Sequence, residues 1–270
     1  MADQPLVSVL MTAYKREKYI AESIESVLAS TYRNFELIIV DDASNDQTAD
    51  IARSYAANDS RIQLYINEKN LGDYPNRNRA ASYASGKYIK YLDADDIIYN
   101  YGLSVMVEYM ERFPQAGFAL ASLVSNEQPF PICLQPKQIY LENFYGYNHF
   151  DRAPCSSIIK LDVFRSVGGF SGARLIGDYE LWFVLARYFP MVKMPFDLYW
   201  NRVHAQQESR SAYAKNYPEL RQKVLTDALN HPDCPLNELE MKEVQSTWKG
   251  KQRKFKLLSM LSKVNKSLKK

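Results

Sequence analysis

Short apolar runs alternate with more polar segments along roughly the first 95 residues of the chain. The apolar runs show little two-residue alternation, which is typical of strands that are buried on both faces of a sheet. They lie at residues 6–12, 35–40, 62–66 and 88–92. The segments between them are predicted to be helices, at residues 18–30, 46–57 and 75–84. This alternation predicts a mostly parallel sheet with right-handed crossovers.

Three residues mark expected ends of these helices. Ser44 is expected to cap the helix at 46–57, because its hydroxyl can accept a hydrogen bond from a free backbone N–H group. Pro75 suits the first turn of the following helix, where a proline loses no hydrogen bond. Gly86 is expected to close that helix.

The remainder of the chain also predicts helices and strands. Helices are expected at residues 103–113, 161–167, 179–188, 215–230 and 236–248. Strands are expected at residues 116–124, 156–160 and 198–203. Two segments are predicted to be loops, the proline-containing stretch 125–138 and the glycine-rich stretch 168–172.

Polar side chains follow three of the predicted strands. Asp93, Asp95 and Asp96 end the fourth strand, Asp41-Asp42 ends the second, and Thr12 to Tyr14 ends the first. Because the carboxyl ends of parallel strands meet at one edge, these groups are expected to share a pocket. Close carboxylates need a cation or hydrogen-bond donors, and carboxylate oxygens suit Mg2+ or Mn2+. The pattern therefore favours a metal and nucleotide-diphosphate site; acidic helix starts and turns are the open alternative.

The composition is that of a soluble globular protein with one substantial core, at 46% hydrophobic and 24% charged residues. No apolar run of about 18 residues occurs, so no transmembrane helix is expected. The N-terminus shows no secretory leader. The three cysteines, Cys133, Cys155 and Cys234, are scattered, which favours free thiols over a disulfide framework or a zinc site. We therefore expect a cytoplasmic protein.

The charge is unevenly divided between the body of the chain and its C-terminal tail. Residues 249–270 carry nine basic and no acidic residues, and the remainder has a net charge of −6. Leu257, Leu261, Val264 and Leu268 recur in the tail at helical spacing. A basic amphipathic helix can lie on an anionic membrane surface, which predicts peripheral attachment to the inner face of the membrane; a packed or frayed helix is the alternative. The acidic body argues against a nucleic-acid partner.

Two common nucleotide-binding motifs are missing. A dinucleotide-binding turn requires glycines after the first strand, and residues 12–16 contain none. A phosphate-cradling loop that ends in Gly-Lys and Ser or Thr is absent from the sequence as well. NAD binding and P-loop chemistry are therefore not expected.

Eight motifs occur in the order that is found in one enzyme family. They are Val7-Ser8-Val9 with Thr12-Ala13-Tyr14, Asp41-Asp42-Ala43-Ser44, Asn70-Leu71-Gly72 with Arg77-Asn78, Gly86-Lys87-Tyr88-Ile89, Asp93-Ala94-Asp95-Asp96, Gly168-Gly169-Phe170, Gly177-Asp178-Tyr179-Glu180-Leu181-Trp182 and Arg202-Val203-His204. Over residues 5–211 the chain thus resembles the family 2 glycosyltransferases, which are inverting sugar transferases with the GT-A fold. It departs from the family pattern at Thr12-Ala13-Tyr14-Lys15, where Pro-x-Tyr-Asn is frequent, and at Gly177, where glutamate is common.

The resemblance implies an α/β fold of the GT-A type, a Rossmann-like, mostly parallel nucleotide-binding sheet flanked by helices. The glycosyltransferase domain would cover residues 1–211, with its nucleotide-sugar half ending near residue 96, and a helical extension would occupy 212–270. The implied activity moves a sugar from a nucleotide-sugar, expected to be a UDP-sugar, with Mn2+ or Mg2+ as cofactor. The expected acceptor is a hydroxyl of a glycan or a lipid-linked saccharide in polysaccharide biosynthesis, such as capsule or lipopolysaccharide assembly.

The resemblance also implies catalytic and acceptor-binding residues. Asp178 would be the general base that removes the proton of the acceptor hydroxyl. Aspartate is also a favoured helix N-cap, and the same residue can serve both purposes. Glu180 and Trp182 would contact the acceptor, although Trp182 suits the hydrophobic core equally well.

The metal and donor sites follow from the same resemblance. Asp95 would bind the divalent cation, Asp96 would support that site, and His204 would complete the metal shell or touch the diphosphate. A lone histidine at a strand end is also commonly structural. The implied nucleotide-sugar-binding residues are Thr12, Ala13, Tyr14, Asp42, Arg77, Asp93 and Ala94.

Two other function classes compete with a glycosyltransferase. A nucleotidyltransferase that makes sugar nucleotides should carry a Gly-rich, Arg-Lys loop after the first strand, and this chain lacks one. A non-catalytic nucleotide-sugar binding module would not need Asp178. Residues 125–138 and 140–152 are expected to govern acceptor choice, and the aromatic residues of the latter are either core or a sugar platform. The sequence does not indicate an oligomeric state.

Overall fold

The computed structural model describes residues 4–122, 129–204, 207 and 212–247. Its strands are β1 (Val7–Ala13), β2 (Phe35–Asp41), β3 (Ile62–Ile66), β4 (Tyr88–Asp93), β5 (Ile97–Ile98), β6 (Phe118–Ser122), β7 (Ile132–Leu134), β8 (Ser157–Lys160), β9 (Met191–Pro195) and β10 (Tyr199–Trp200). Eight of them form one sheet in the order β3-β2-β1-β4-β8-β6-β9-β7, and β5 and β10 form a separate antiparallel ribbon. The α/β fold with a mostly parallel sheet that the sequence predicts is confirmed.

Helices cover both faces of the sheet. They are α1 (Ile20–Leu28), α2 (Thr48–Ala56), α3 (Asp73–Ser82), α4 (Gly102–Arg112), α5 (Pro136–Tyr145), α6 (Leu161–Ser166), α7 (Gly177–Tyr188) and α8 (Tyr217–Asn230), and residues 238–247 are also helical. One face of the sheet packs with α1 and α4 around Val9 and Leu37. The other face packs with α3, α5, α7 and α8 around Tyr91 and Trp182. These two apolar layers hold the strand ends in fixed register.

The parallel half of the sheet centres on β1. Thr12 lies opposite Val40 of β2 on one side and opposite Asp93 of β4 on the other. Ala13 lies opposite Asp41 at the end of β2. The carboxyl ends of the three strands therefore stand side by side, as the sequence predicts.

The sheet opens where β4 meets β8. These strands pair antiparallel only through Tyr88–Lys160 and Ile89–Ile159, and then they separate. The fully buried Lys90 bridges the gap, because its ammonium donates to the backbone carbonyls of Tyr91 (2.8 Å) and Cys155. Burial lowers the pKa of Lys90 to about 8. The gap allows the segment before β8 to form a wall opposite the end of β4.

Several elements differ from the sequence prediction. Within the segment 125–138, which was expected to be a loop, Ile132–Leu134 forms β7 and α5 begins at Pro136. The strand expected at 198–203 shortens to β10, because only Tyr199 and Trp200 find a partner strand in β5. Met191–Pro195, which had no predicted element, is β9 and pairs parallel with β6.

Ser44 and Gly86 serve purposes other than the expected helix capping. The Ser44 hydroxyl accepts from the Lys15 backbone N–H at 2.8 Å, and α2 begins later, at Thr48. Helix α3 ends before Gly86, at Ser82. A Cβ atom at Gly86 would lie 2.7 Å from the carbonyl oxygen of Leu6, so this glycine allows the chain to pass close to β1.

The aromatic residues of the segment 140–152 divide between core and surface. Tyr140, Phe144 and Phe150 are buried and pack around Phe183 of α7. Tyr145 and Tyr147 are exposed. Most of these aromatic residues therefore belong to the core, and Tyr140, Phe144 and Tyr145 lie on α5.

None of the helices in the described parts of the chain combines the length and the apolar composition that a membrane crossing requires. The predicted amphipathic tail, residues 249–270, lies outside the described residues.

Candidate active site

A cleft of about 1350 Å3 opens at the carboxyl ends of β1, β2 and β4. Its floor is formed by these strand ends, and residues 70–77 form one side. Residues 150–154 and the start of α7 form the other side. The predicted site residues that line it are Thr12, Ala13, Tyr14, Asp42, Arg77, Asp93, Asp95 and Asp178.

Asp95 lies at the end of the cleft nearest β10, between two cationic or potentially cationic side chains. Its Oδ2 atom accepts hydrogen bonds from Arg16 Nε and His204 Nε2, each at 2.7 Å. The imidazole of His204 stacks on Tyr19, with ring centroids 5.0 Å apart. The structure thus brings His204 against Asp95, although His204 itself is not among the residues that line the cleft, and the stacking fixes the plane of the imidazole.

Asp96 faces away from the cleft. Its carboxylate accepts from the Asn201 amide (3.0 and 3.2 Å) and from the Arg202 backbone N–H (3.0 Å). Burial raises its pKa to about 7, with Asp93 and Asp95 contributing. Asp96 does not line the cleft; it holds the segment after β10, which carries His204, against the end of β4.

Arg77 is buried between two acidic residues at the edge of the cleft. Its Nε donates to Asp73 Oδ1 at 2.8 Å, and Nη2 lies 2.7 Å from Asp93 Oδ1. Burial raises the pKa of Asp93, and the positive charge of Arg77 opposes that rise. Nη1 of Arg77 is buried and has no hydrogen-bond partner among the described residues.

Asp42 shapes the wall beside the end of β2. One of its oxygens accepts from Asn67 Nδ2 (2.7 Å) and the Leu71 N–H (2.8 Å), and the other accepts from the Gly72 N–H (2.9 Å). Gly72 has a φ of 88°, which residues with a side chain rarely adopt. Asp42 therefore orders the 67–72 loop, and Tyr14 is exposed across from it.

Asp178 lies in the first turn of α7 and lines the same cleft as Asp93 and Asp95. The helix begins at Gly177, so the expected N-cap position falls to Ile176 instead. A Cβ atom at Gly177 would lie 2.8 Å from the Tyr74 ring, which explains the absence of the glutamate that is common in the family at this position. Burial raises the pKa of Asp178 to about 7, while hydrogen bonds from the Tyr179 N–H and the Tyr74 hydroxyl lower it.

Three predicted contact residues do not reach the cleft. Trp182 is fully buried, donates from Nε1 to the Arg152 carbonyl at 2.9 Å and stacks on Phe118. It is therefore part of the core and not a platform for a sugar. Ala94 is buried and hydrogen-bonds through its backbone to β1. Glu180 accepts from the Ser171 hydroxyl outside the cleft lining.

We expect Trp182→Phe to lower the free energy of unfolding by about 1–3 kcal/mol, because the buried Arg152 carbonyl loses its donor and the smaller ring leaves a void. Chemical denaturation measures this change. UDP affinity should stay at the wild-type value, since Trp182 does not line the cleft. An unchanged free energy of unfolding would contradict the assignment of Trp182 to the core.

Sequence reasoning missed two residues that the structure places at the site. Arg16 contacts Asp95 directly, and Asn201 lines the cleft while holding Asp96. The convergence of strand ends could have indicated Arg16, because it follows β1 as Asp95 follows β4. Nothing in the sequence indicates Asn201, since its position depends on the ribbon formed by β5 and β10.

The donor atoms at Asp95 suit a divalent cation. A carboxylate oxygen and an imidazole nitrogen are ligands that Mn2+ accepts, and Mg2+ accepts the oxygen together with phosphate and water. A second group places ligand atoms of Asp93, Asp96 and Cys155 within 4.8 Å of one another. Burial keeps the pKa of the Cys155 thiol high, and a neutral thiol is a poor ligand for either ion. The pair of Asp95 and His204 is therefore the better candidate.

Comparison with known protein structures shows the same fold. The crystal structure of S. aureus TarS 1–349 in complex with UDP-GlcNAc matches with a TM-score of 0.70 and 19% identity, over 90% of this chain and 71% of that one. The mannosyltransferase PcManGT from Pyrobaculum calidifontis, in complex with GDP-Man and Mn2+, matches with a TM-score of 0.63 and 17% identity, over 97% of this chain and 81% of that one. At these identities the similarity shows the fold alone.

Comparison with protein sequences gives closer relatives. The chain is 46% identical over 112 residues to the uncharacterized glycosyltransferase MJ1057 of Methanocaldococcus jannaschii. This alignment covers 41% of this chain and 39% of that protein. It is 38% identical over 125 residues to the putative teichuronic acid biosynthesis glycosyltransferase TuaG of Bacillus subtilis. This second alignment covers 46% of this chain and 50% of that protein. The chain thus spans half or less of the length of these two relatives.

The family model described as "Glycosyl transferase family 2" matches residues 8–168, which is more than half of the chain. The matched region contains β1 to β4 and the acidic strand ends that line the cleft. This chain therefore belongs to the family 2 glycosyltransferases and has the GT-A fold that its motifs imply.

Proposed function

We propose that this protein is an inverting, metal-dependent glycosyltransferase that moves a sugar from a UDP-sugar to a hydroxyl of a glycan or lipid-linked saccharide. One observation carries the proposal: a single cleft holds the acidic strand-end residues Asp93 and Asp95 together with Asp178, whose pKa burial raises to about 7. An inverting transfer needs this arrangement, because the base and the leaving group act on opposite faces of the sugar.

The donor would lie along the strand ends. Tyr14 is exposed and can stack on the base, and Thr12, Ala13 and Asp42 line the same end of the cleft. Asp93 can accept from ribose hydroxyls. Arg77 would hold Asp93 in place for this contact, because its Nη2 lies 2.7 Å from Asp93 Oδ1.

The fold neighbours support a nucleotide-sugar but differ in the base. TarS is seen with UDP-GlcNAc and PcManGT with GDP-Man and Mn2+. We favour uracil because TarS, which is seen with UDP-GlcNAc, matches this fold with the higher TM-score of the two, 0.70 against 0.63. The Mn2+ in the PcManGT complex supports a divalent cation at the site of this protein.

Asp95 and His204 would hold the cation, and Asp96 would hold the segment that carries His204. When it is bound, a divalent cation neutralises charge that develops on the departing diphosphate. The protein supplies the remaining chemistry through Asp178, which would accept the proton of the acceptor hydroxyl as the new glycosidic bond forms.

The acceptor would enter between residues 150–154 and α7, on the side of Asp178. TuaG, a putative teichuronic acid biosynthesis enzyme, supports a polysaccharide acceptor. A lipid-linked acceptor would suit a protein that works at the cytoplasmic face of a membrane, and the basic composition of residues 249–270 is consistent with that location.

A donor panel tests the proposal. We expect one UDP-sugar in the presence of Mn2+ to stabilise the protein by about 2.7 kcal/mol at 100 times its Kd, which a thermal-shift assay records as a rise in Tm of several degrees. GDP-sugars and ADP-sugars serve as matched ligands, and EDTA removes the metal. No stabilisation by any nucleotide-sugar would refute the proposal, and a preference for a GDP-sugar would refute the choice of uracil.

A further inference from the structure

Arg16 lies at the site with no role assigned to it so far. It follows β1 in the loop that leads to α1, and its backbone N–H donates to the Thr48 hydroxyl at 2.7 Å. Its guanidinium donates through Nε to Asp95 Oδ2 at 2.7 Å and through Nη1 to the carbonyls of Tyr14 (3.0 Å) and Lys15 (3.2 Å). The loop therefore holds the guanidinium in place, directed at one carboxylate oxygen.

That oxygen is the atom that a divalent cation would use. Asp95 Oδ2 already accepts from both Arg16 and His204, and the Asp95 side chain is only 10% exposed. A guanidinium stays protonated throughout the physiological pH range. A metal ion at this oxygen would meet a fixed positive charge within hydrogen-bond distance of its ligand, so the metal and Arg16 exclude one another.

Two other arginines that are close to the acidic strand end are committed to other partners. Arg77 is buried and paired with Asp73 and Asp93. Arg202 donates to the Asp95 carbonyl and to Glu22. Arg16 lines the cleft with 20% of its side chain exposed, and its strongest partner is the carboxylate that the metal would take. Of these three arginines it is therefore the one best placed to turn toward a diphosphate.

We propose that Arg16 is a positioning residue that competes with the divalent cation for Asp95 and supplies positive charge to the donor diphosphate. This inference rests on the proposed function, because it takes a nucleoside diphosphate as the ligand of the cleft. In the donor-free protein Arg16 neutralises Asp95 and holds metal affinity low. When metal and donor enter together, the guanidinium moves from Asp95 to a phosphate oxygen, and the protein binds the two ligands cooperatively.

The variant Arg16→Gln separates these effects. Glutamine retains a hydrogen-bond donor but has no charge. We expect the Mn2+ affinity of the nucleotide-free protein to rise at least about fivefold, because the competing cation is gone. We expect the UDP affinity measured at saturating Mn2+ to fall by a similar factor, because the metal has then displaced Arg16 from Asp95 and the phosphates of the variant lose this partner. A residue that only supported the fold would not move these two affinities in opposite directions.

Titration calorimetry measures both affinities, with MnCl2 and UDP as the probes. Arg53→Gln is the matched control, since Arg53 is exposed on α2 and pairs only with Asp50 among the contacts described. Arg16→Lys keeps the charge and should leave Mn2+ affinity near the wild-type value. If Arg16→Gln leaves Mn2+ affinity unchanged or lowers it while the wild type binds UDP, the inference about Arg16 is refuted and the proposed function still stands. If the wild type binds no UDP with or without Mn2+, the proposed function fails, and the inference fails with it.

Discussion

Asp178→Asn is expected to lower the transfer rate by about 10^2- to 10^4-fold while leaving the affinity for the nucleotide-sugar unchanged. The amide has the shape of the carboxylate and can accept the hydrogen bond that the Tyr179 N–H donates at 2.7 Å, but it cannot take a proton from the acceptor. A radiolabelled-sugar transfer assay measures the rate, and calorimetry with UDP measures the donor site. Turnover at the wild-type rate would exclude Asp178 as the base.

The pH dependence of the wild-type enzyme follows from the same residue. Burial raises the pKa of Asp178 to about 7, and a general base works only when it is deprotonated. The rate should therefore rise with pH up to about 7 and level off above it. In Asp178→Asn the residual rate should lack this rise. A wild-type rate that does not change between about pH 5.5 and about pH 8.5 would contradict the assignment.

Stability should change with pH in the opposite direction. The pKa of Asp178 is raised on folding from a usual value of 3.8, so between about pH 4 and about pH 7 the folded state holds a proton that the unfolded state has released. The contribution of Asp178 to stability therefore falls as pH rises through this window. Asp178→Asn has no such loss, and its Tm should exceed that of the wild type near pH 8. Asp227→Asn, at an exposed position of α8, is the control that should show neither effect.

The central chemistry of the site was accessible to sequence reasoning because it depends on local signals and one topological rule. Apolar runs that end in polar residues locate the ends of β1, β2 and β4, and a parallel sheet brings such ends together. The cleft over Thr12, Asp42 and Asp93 follows from these two facts. No knowledge of the later half of the chain is required.

The different orientations of Asp95 and Asp96 could not be predicted. Both follow β4, and nothing local distinguishes two adjacent carboxylates. Asp95 meets Arg16 from the loop after β1, whereas Asp96 meets Asn201, more than one hundred positions later in the chain. The pairing depends on the ribbon of β5 and β10, whose strands have two residues each and leave almost no periodic signal.

The acceptor side was predicted least well, for a related reason. Tryptophan is a residue type that can bind a sugar, which is why Trp182 was a candidate. However, α7 is apolar on more than one face, because it lies between the sheet and the helices α5 and α8. The indole ring of Trp182 stacks on Phe118, and its Nε1–H donates to the Arg152 carbonyl. Sequence patterns show that such a helix is buried and do not show which of its aromatic residues meets solvent. In contrast, Asp178 could be placed because it stands at the start of the helix.

Asp95→Asn is expected to remove the gain in UDP affinity that Mn2+ gives and to lower the transfer rate by at least about 10^2-fold, since a bound metal contributes several kcal/mol to a charged transition state. The amide oxygen can still accept from Arg16 and His204, which lie 2.7 Å from the carboxylate, so the fold around the site should persist. The charge that attracts a divalent cation is lost. Calorimetric titration of UDP with Mn2+ and with EDTA measures the gain directly.

The control variant for this prediction is Asp50→Asn, an exposed residue of α2 that is remote from the cleft. This variant should keep the full difference in UDP affinity between measurements with Mn2+ and with EDTA. Asp96→Asn gives a sharper contrast, because Asp96 holds the segment that carries His204 but does not face the cleft. It should weaken the metal effect only in part. If UDP affinity differs between Mn2+ and EDTA as much in Asp95→Asn as in the wild type, Asp95 does not bind the metal. The ion must then lie among other donor atoms of the cleft.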